Sequence, residues 1–431
     1  MWIEKLELQN IKCFENKTFE FSPGFNLIIG KNGTGKTSII DALLFTFSNI
    51  DITKAEINPE KIVSRKSKNV NSSTPNIEFI FPSIIKASIN PLNIFSLKIG
   101  DSFTCQILDK QGAYTGHASV STYNFLSSFQ NYPVIALYKT SRRVHTEKIP
   151  IESTLSTTKR IDGYTSWHNI DVNFKQIYLW IKTLEISALQ RQQKNPLLES
   201  IRSAIKTCMP HDQIAHVYYD LLINEICVQD NLDNIKPFDL LSDGQSSILS
   251  IVMDIAIRCA ILNPHLGEET LYQTPGIVII DEIDLHLHPA WQMRIVDDLK
   301  RTFPKIQFIA TTHSPLIIQS LKPEDGDRLI DLNDPDTVPD YEYSGRSPED
   351  ILEEGMGIEM PQRSHRWKEM YHAAEEYYEL LDKAESADET ERLALREKLD
   401  TLMIPYDNNP AYAAYTSFLK QKRIVTGIDK A

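Results

Sequence analysis

Cysteine is scarce in this 431-residue chain, and what there is forms no pattern. Cys13, Cys105, Cys208, Cys227 and Cys259 are odd in number and contain no C-x-x-C pair. That argues against a disulfide framework and a cysteine-built zinc site, and leaves small buried hydrophobes in a reducing compartment as the expectation. No apolar run reaches the roughly 18 residues that a membrane span needs, so no membrane partner is expected. The opening residues, Met1 to Leu8, alternate and carry acidic side chains. They suit a strand, not the basic and apolar regions of a signal peptide, and a cytoplasmic protein is expected. An excess of positive charge is also missing: the formal net charge is −13. Proteins that coat DNA without specificity are usually basic, which argues against nucleic acid over most of the surface but allows a local basic groove. Sustained heptads and internal repeats are absent too, which argues against long coiled-coil arms.

What remains is 42% hydrophobic, enough for at least one large core and two to three structural units. Phe25-Asn-Leu-Ile-Ile29 reads as a buried parallel strand, and Ile39, Ile40, Leu43, Leu44 and Phe47 give residues 36–47 a helical face. Residues 51–80 are polar, with Lys61, Arg65, Lys66 and Lys68, and read as an insertion. Residues 77–130 alternate loosely, as antiparallel strands do. Val134 to Tyr138 reads as a core strand running into a basic turn with Lys139, Thr140, Arg142 and Arg143. Residues 144–170 read as loop, and about 173–207 as helical. Then an α/β rhythm returns: a helix near 245–262, the strand Gly276–Ile280, a helix near 289–303 and the strand Ile306–Ala310. That order implies a parallel sheet with right-handed crossovers. Beyond about 345 the chain is acidic and helical, with one face at Trp367, Met370, Tyr371, Ala374, Tyr378 and Leu381 and another at Leu393, Leu395, Leu399 and Leu402.

Five motifs carry chemistry. Gly30-Lys31-Asn32-Gly33-Thr34-Gly35-Lys36-Thr37 matches G-x-x-x-x-G-K-[ST] in full, between a strand and a helix. Its glycines let backbone N–H groups turn inward around phosphates, and the helix N-terminus adds positive potential. Lys36 would neutralise the β- and γ-phosphates of ATP, and Thr37 would offer its hydroxyl to Mg²⁺. Ser38 completes the expected cradle. Leu241-Ser242-Asp243-Gly244-Gln245 precedes an apolar helix. Ser242 can simply cap that helix, and a serine hydroxyl, a glycine N–H and a helix N-terminus also suit a γ-phosphate. Gly276-Ile-Val-Ile-Ile-Asp281-Glu282 ends a β-branched strand in two carboxylates, at the sheet edge where nucleotides bind in such folds. Asp281 would hold Mg²⁺ and Glu282 would orient the attacking water. Asp284-Leu-His286-Leu-His288-Pro289 contains a histidine pair without a third metal ligand nearby, and reads equally as a turn that starts a helix at Pro289. In Thr311-Thr312-His313-Ser314-Pro315, the histidine can reach a γ-phosphate, and a polar strand end fits the residues as well.

In this order the motifs resemble the ABC ATPase heads of the SMC, RecF and OLD group, well over 1–47 and 238–320 and weakly between. The resemblance implies a head-to-head dimer or higher oligomer with ATP at the interface, residues 30–37 of one subunit facing Ser242–Gln245 of the other. It implies Glu282, His313 and Lys36 as catalytic residues, His313 being the switch histidine. It places Asp284 in the D-loop and makes Lys12 the basic residue near the first strand. The Q-loop glutamine has no clear counterpart. A Toprim nuclease is not seen: Asp325-Gly-Asp327 lies in a loop-like stretch. The zinc-hook pattern is missing. Pro133 to Tyr138 with Thr140, Arg142 and Arg143, then Trp180 to Glu185, look most like the ATPase subunit of Septu anti-phage systems, including those attached to retrons.

The expected fold is therefore α/β. It is an ABC-type P-loop ATPase head, with a parallel core sheet and an antiparallel β subdomain, plus a helical insertion and an α-helical C-terminal tail. The expected division is 1–50 and 51–170 for the first parts of the head, 171–235 for the helical insertion, 236–345 for the rest of the head and 346–431 for the tail. The function this resemblance implies is an ATP-gated scaffold without its own nuclease. It would control a separate HNH nuclease, in some systems with a reverse transcriptase and its multicopy single-stranded DNA. The alternatives are a RecF-like ATPase that clamps DNA through Lys61, Arg65, Lys66, Lys68, Lys139, Arg142 and Arg143, and a regulatory ATPase that needs no nucleic acid.

Overall fold

The computed structural model describes residues 1–48, 65–67, 77–79, 83–90, 94–99, 105–108, 114–117, 129–140, 159–167, 170–209, 214–333 and 346–358, with Lys368 and His372. Two compact units are present, Met1–Ile351 and Leu352–Ala431, and all that follows concerns the first. The two tail faces read from the sequence, and the basic residues Lys61, Lys68, Arg142 and Arg143, lie outside the described residues.

The N-terminal strands β1 (Trp2–Ile11) and β2 (Phe14–Glu20) pair antiparallel. Alternation buries Leu6 and Leu8 of β1 on one side, with Phe19 of β2 paired to Leu6, the period-2 pattern of a half-buried sheet. β3 (Phe25–Ile29) follows, then α1 (Lys36–Ser48). β4 (Arg65–Ser67) and β5 (Ile77–Phe79) form a small ribbon within the polar insertion. β6 (Ser83–Asn90), β7 (Ile94–Ile99), β8 (Cys105–Leu108) and β9 (Tyr114–His117) extend the first sheet in the order β2-β1-β6-β7-β8-β9. Every pairing in it is antiparallel.

The second sheet is the core. β10 (Val134–Tyr138), β14 (Gly276–Ile280), β15 (Ile306–Thr311), β3 and β16 (Arg328–Asp331) run parallel in the order β10-β14-β15-β3-β16. β3, β10, β14 and β15 are buried at every position, which is why they read as largely apolar runs, broken only by the buried polar residues Asn26, Gln307 and Thr311. Gln307 ties the two sheets together. Its Oε1 accepts the Ile3 N–H at 2.8 Å, and its Nε2 donates to the carbonyls of Ile3 (2.9 Å) and Ser22 (2.6 Å).

Between β10 and β14 the structure departs from the sequence reading in two places, the 144–170 stretch and the segment after residue 208. The stretch read as loop contains a 3₁₀ turn, Arg160–Tyr164, and buries Tyr164 and Trp167 completely. The helical stretch is two helices, α2 (Ile170–Arg191) and α3 (Pro196–Cys208). Gln192, at φ +51, follows the first, and Asn195 caps the second, its Oδ1 accepting the Leu197 N–H at 3.0 Å, with Pro196 in the first turn. The segment expected to be helical to residue 235 also holds an antiparallel sheet of β11 (Ile214–Asp220), β12 (Glu225–Asp230) and β13 (Ile235–Pro237). Asp220 folds the first turn of that sheet by accepting the Leu222 N–H at 2.8 Å, an Asx turn.

The helix α4 (Asp243–Leu262) is long and apolar enough to cross a membrane, but 89% of that stretch is buried within the protein. It packs against β10, α2 and α3. The expected helix at 289–303 is broken into α5 (Pro289–Gln292) and α6 (Ile295–Thr302), with Arg294 outside helical geometry. No glycine or proline marks that break in the sequence. α7 (Pro315–Gln319) starts directly after the Thr311–Ser314 motif, capped by Ser314.

Candidate functional site

The C-terminal ends of β3, β14 and β15 meet at one edge of the parallel sheet, the edge where ligands bind in folds of this type. The phosphate-loop sequence leaves β3 there. Thr34 closes the loop on itself, its hydroxyl donating to the Lys31 carbonyl at 2.9 Å, and the Lys31 N–H donates to Asn333 Oδ1 at 2.8 Å. Gly35 has φ +110, and a Cβ there would meet Phe14 Cζ at 2.5 Å and Cys13 Sγ at 2.6 Å. Only glycine tolerates both constraints. Gly33, at φ +87, faces open space. Lys36 Nζ folds into the loop and donates to the carbonyls of Gly30 (2.5 Å) and Lys31 (3.2 Å). Thr37 is exposed and Ser38 buried. Asn32 and Lys31 are exposed on the rim. Lys12 sits in the turn between β1 and β2 and is ion-paired with Asp41 of α1.

Across from the loop, β14 ends in Asp281 and Glu282. The Asp281 N–H donates to the Tyr138 carbonyl at 2.8 Å. Its Oδ1 accepts the Thr311 hydroxyl at 2.6 Å, and the same hydroxyl oxygen accepts the Glu282 N–H at 2.7 Å. Glu282 has φ +49, an uncommon conformation for a residue with a side chain. Asp284 Oδ1 accepts the Thr312 hydroxyl at 2.6 Å and the His313 N–H at 3.3 Å. The His313 ring is half-buried. His288, read as half of a histidine pair, caps α5 by accepting the Ala290 N–H at 3.3 Å on Nδ1.

The electrostatics tie the two halves together. Burial lowers the Lys36 pKa, and Glu282, Asp281 and Asp284 push it back up without cancelling the effect. Those three carboxylates follow β14, and Lys36 follows β3, at the same edge of the sheet.

The Leu241–Gln245 motif lies elsewhere. Ser242 and Gln245 form a reciprocal capping box at the start of α4, with the Gln245 N–H donating to Ser242 Oγ at 3.3 Å. Ser242 and Asp243 are exposed. Gly244 is pressed against the turn after Glu282: a Cβ there would lie 2.5 Å from the His286 carbonyl oxygen. Among the described residues no hydrogen bond or ion pair joins 242–245 to 30–37 of the same chain.

Two features escaped sequence reasoning. Thr311 and Thr312 grip the carboxylates, and their only sequence signal is the pair of hydroxyls before His313. The second is a buried polar network. Tyr138 donates its phenol proton to Asp254 Oδ2 at 2.7 Å, and Arg258 Nε donates to the same oxygen at 2.7 Å. Arg258 also donates to the carbonyls of Gly163 (2.7 Å) and Thr165 (3.2 Å). An Asp and an Arg one helical turn apart in an otherwise apolar helix were its signal.

The family described as the RecF/RecN/SMC N-terminal domain matches residues 2–326. A protein named Retron Ec83 probable ATPase, from Escherichia coli, is 28% identical over 390 residues, which cover 74% of this chain and 70% of that protein. A Septu protein PtuA from Bacillus thuringiensis is 23% identical over 364 residues, 83% of this chain and 84% of the other. Among solved structures, an SMC head bound to the C-winged helix domain of ScpA covers 77% of this chain and 94% of its own, with a TM-score of 0.50 and 16% identity. That likeness shows the fold, an ABC-type ATPase head with a parallel core sheet and antiparallel sheets. The matches support ATPase activity. With three quarters of its length inside the family match, the chain belongs to the RecF/RecN/SMC N-terminal domain family.

Proposed function

We propose that this chain is the P-loop ATPase of an anti-phage defence complex of the Septu and retron kind. In this reading it dimerises around ATP and controls a separate HNH nuclease, in retron versions alongside a reverse transcriptase and its single-stranded DNA. The observation that carries the ATPase part is that the phosphate loop, which follows β3, and Asp281, Glu282 and Asp284, which follow β14, leave the same edge of one parallel sheet. The relatives named above support the defence part.

Each residue has a defined task. Backbone N–H groups from Gly30 to Thr37, with Ser38, bind the phosphates, and Lys36 exchanges its loop carbonyls for phosphate oxygens. The donor set fits Mg²⁺: the Thr37 hydroxyl and the Asp281 carboxylate are hard oxygen ligands. Among the described residues no three His, Cys, Asp or Glu side chains cluster as a metal cage, so the remaining ligands would come from the nucleotide and water. Bound there, Mg²⁺ would neutralise charge on the β- and γ-phosphates. Glu282 orients and polarises the attacking water, and His313 contacts the γ-phosphate. Lys12 flanks the loop.

Dimerisation follows from what one chain leaves open. Ser242, Asp243, Gly244 and Gln245 start a helix whose N-terminus is exposed and suited to an anion, but they do not meet the loop of their own chain. A second copy brings them to it. ATP then favours the closed dimer through its greater affinity for that state.

The test uses the full chain. Lys36→Ala should abolish ATP binding. Glu282→Gln should keep binding, accumulate an ATP-bound dimer by mass measurement and slow turnover on the order of 10²- to 10⁴-fold. Wild-type turnover in Glu282→Gln would overturn the assigned role. Purification with the products of neighbouring genes tests the rest, and a bare ATPase dimer that gains only duplex DNA on adding ATP would favour the RecF-like function.

A further inference from the structure

We infer that Thr311 is a positioning residue for ATP hydrolysis, holding Asp281 and Glu282 in working geometry through a single hydroxyl. The inference rests on the roles proposed above for those two carboxylates.

A threonine hydroxyl has one proton to give and lone pairs to accept with. Both capacities are used here. The proton goes to Asp281 Oδ1 at 2.6 Å, and a lone pair takes the Glu282 N–H at 2.7 Å. Thr311 is fully buried, so water does not compete for either bond. The donation orients the Asp281 carboxylate and occupies one of its two oxygens. The acceptance holds the backbone of Glu282 where φ is +49. The Thr311 carbonyl adds a third tie, accepting the Ile283 N–H at 2.9 Å.

The backbone conformation of Glu282 decides where its carboxylate points, because φ sets the direction of the Cα–Cβ bond relative to the strand. A residue in this region needs surrounding structure to hold it. Thr311 supplies that from the neighbouring strand, β15, whose next residue, Thr312, holds Asp284 in a parallel way. The chemistry needs this arrangement because a water-orienting carboxylate and a cation-holding carboxylate must keep a fixed separation through the reaction. Partners of this indirect kind typically matter 10- to 100-fold in metal affinity or activity.

Valine has the shape of threonine and prefers strands, so Thr311→Val removes the hydroxyl while keeping the side chain's branching. Thr311→Ser keeps the hydroxyl and loses a methyl group. Four readouts separate a positioning role from a structural one: ATP affinity, kcat, the Mg²⁺ concentration for half-maximal turnover, and amide hydrogen exchange at Glu282 in nucleotide-free protein. Thr311→Val should leave ATP affinity unchanged and lower kcat roughly 10- to 100-fold. It should also raise the Mg²⁺ requirement and speed exchange at the Glu282 amide. Thr311→Ser should restore kcat and slow exchange. Wild-type kcat and Mg²⁺ requirement in Thr311→Val, or equal damage in Thr311→Ser, would overturn the inference. Full turnover in Glu282→Gln would instead remove the reading on which it rests, so the two failures are distinguishable.

Discussion

Replacing Arg258 with alanine should destabilise the head more than any surface change. The Arg258 and Asp254 side chains are 3% and 5% exposed. Burial alone lowers the pKa of the guanidinium, and Asp254 and Tyr138 outweigh it, giving a net rise. Burial first, and Asp254 second, hold the Tyr138 phenol well above its ordinary pKa, so it stays a donor. Removing Arg258 leaves the Asp254 carboxylate buried with the Tyr138 hydroxyl and takes the guanidinium donor from the Gly163 and Thr165 carbonyls. Breaking a buried pair in this way costs about 3–5 kcal/mol. Exchanging both charges at once, Asp254→Leu with Arg258→Met, should cost less than the single change, because no lone charge is left behind. Urea unfolding of the nucleotide-free chain measures both. Tryptophan fluorescence is suitable, because Trp167 is buried beside the network and its carbonyl accepts the Leu137 N–H at 2.7 Å. A loss below about 1 kcal/mol for Arg258→Ala, or a larger loss for the double exchange, would refute the reasoning.

Two further outcomes follow from close contacts near the site. Gly244→Ala would place its Cβ 2.5 Å from a backbone oxygen, that of His286, so the turn after Glu282 must move. Turnover should fall while ATP affinity at the phosphate loop stays near wild type, and a variant with full turnover would show the contact to be dispensable. Brief iodoacetamide treatment followed by peptide mass analysis should modify exposed Cys13 and spare Cys208 and Cys259. Burial pushes both of those thiols up to about 12, which depletes the reactive thiolate. ATP should slow labelling of Cys13, whose Sγ lies 3.8 Å from Ser38 Oγ, and modification of Cys208 in the folded chain would contradict its burial.

The parallel core was readable because its strands are buried on both faces and leave apolar runs, as in Val134–Tyr138 and Gly276–Ile280. The phosphate loop was readable because its glycines meet constraints that no other residue tolerates, as Gly35 shows. Strand pairing across long separations was not. Nothing local says that Gln307 will bind the backbone of Ile3, or that the hydroxyl of a threonine at 311 will serve the Asp281 carboxylate and the Glu282 N–H beyond another strand. The hairpins of 214–237 were hidden for a different reason. Their short strands follow two amphipathic helices, and their turns rest on Asp220 and Asp230 rather than on Asn-Gly pairs. The capping reading of Ser242 and the functional reading are compatible, since the hydroxyl that caps α4 is also exposed at its N-terminus.

The strand order β10-β14-β15-β3-β16 has a consequence for how the site can evolve. β15 separates the strand that leads to the phosphate loop from the strand that ends in carboxylates, so their axes stand about 10 Å apart, twice the hydrogen-bonded spacing. That slot is a ruler fixed by backbone pairing and independent of side-chain size. Substitutions at its floor change what lines the slot without changing its width. A one-residue slip of β15 would send Thr311 and Thr312 to opposite faces from those they now occupy. The pairing of Ala310 with both Leu27 and Ile280 is thus what keeps the hydroxyls level with the carboxylates they hold.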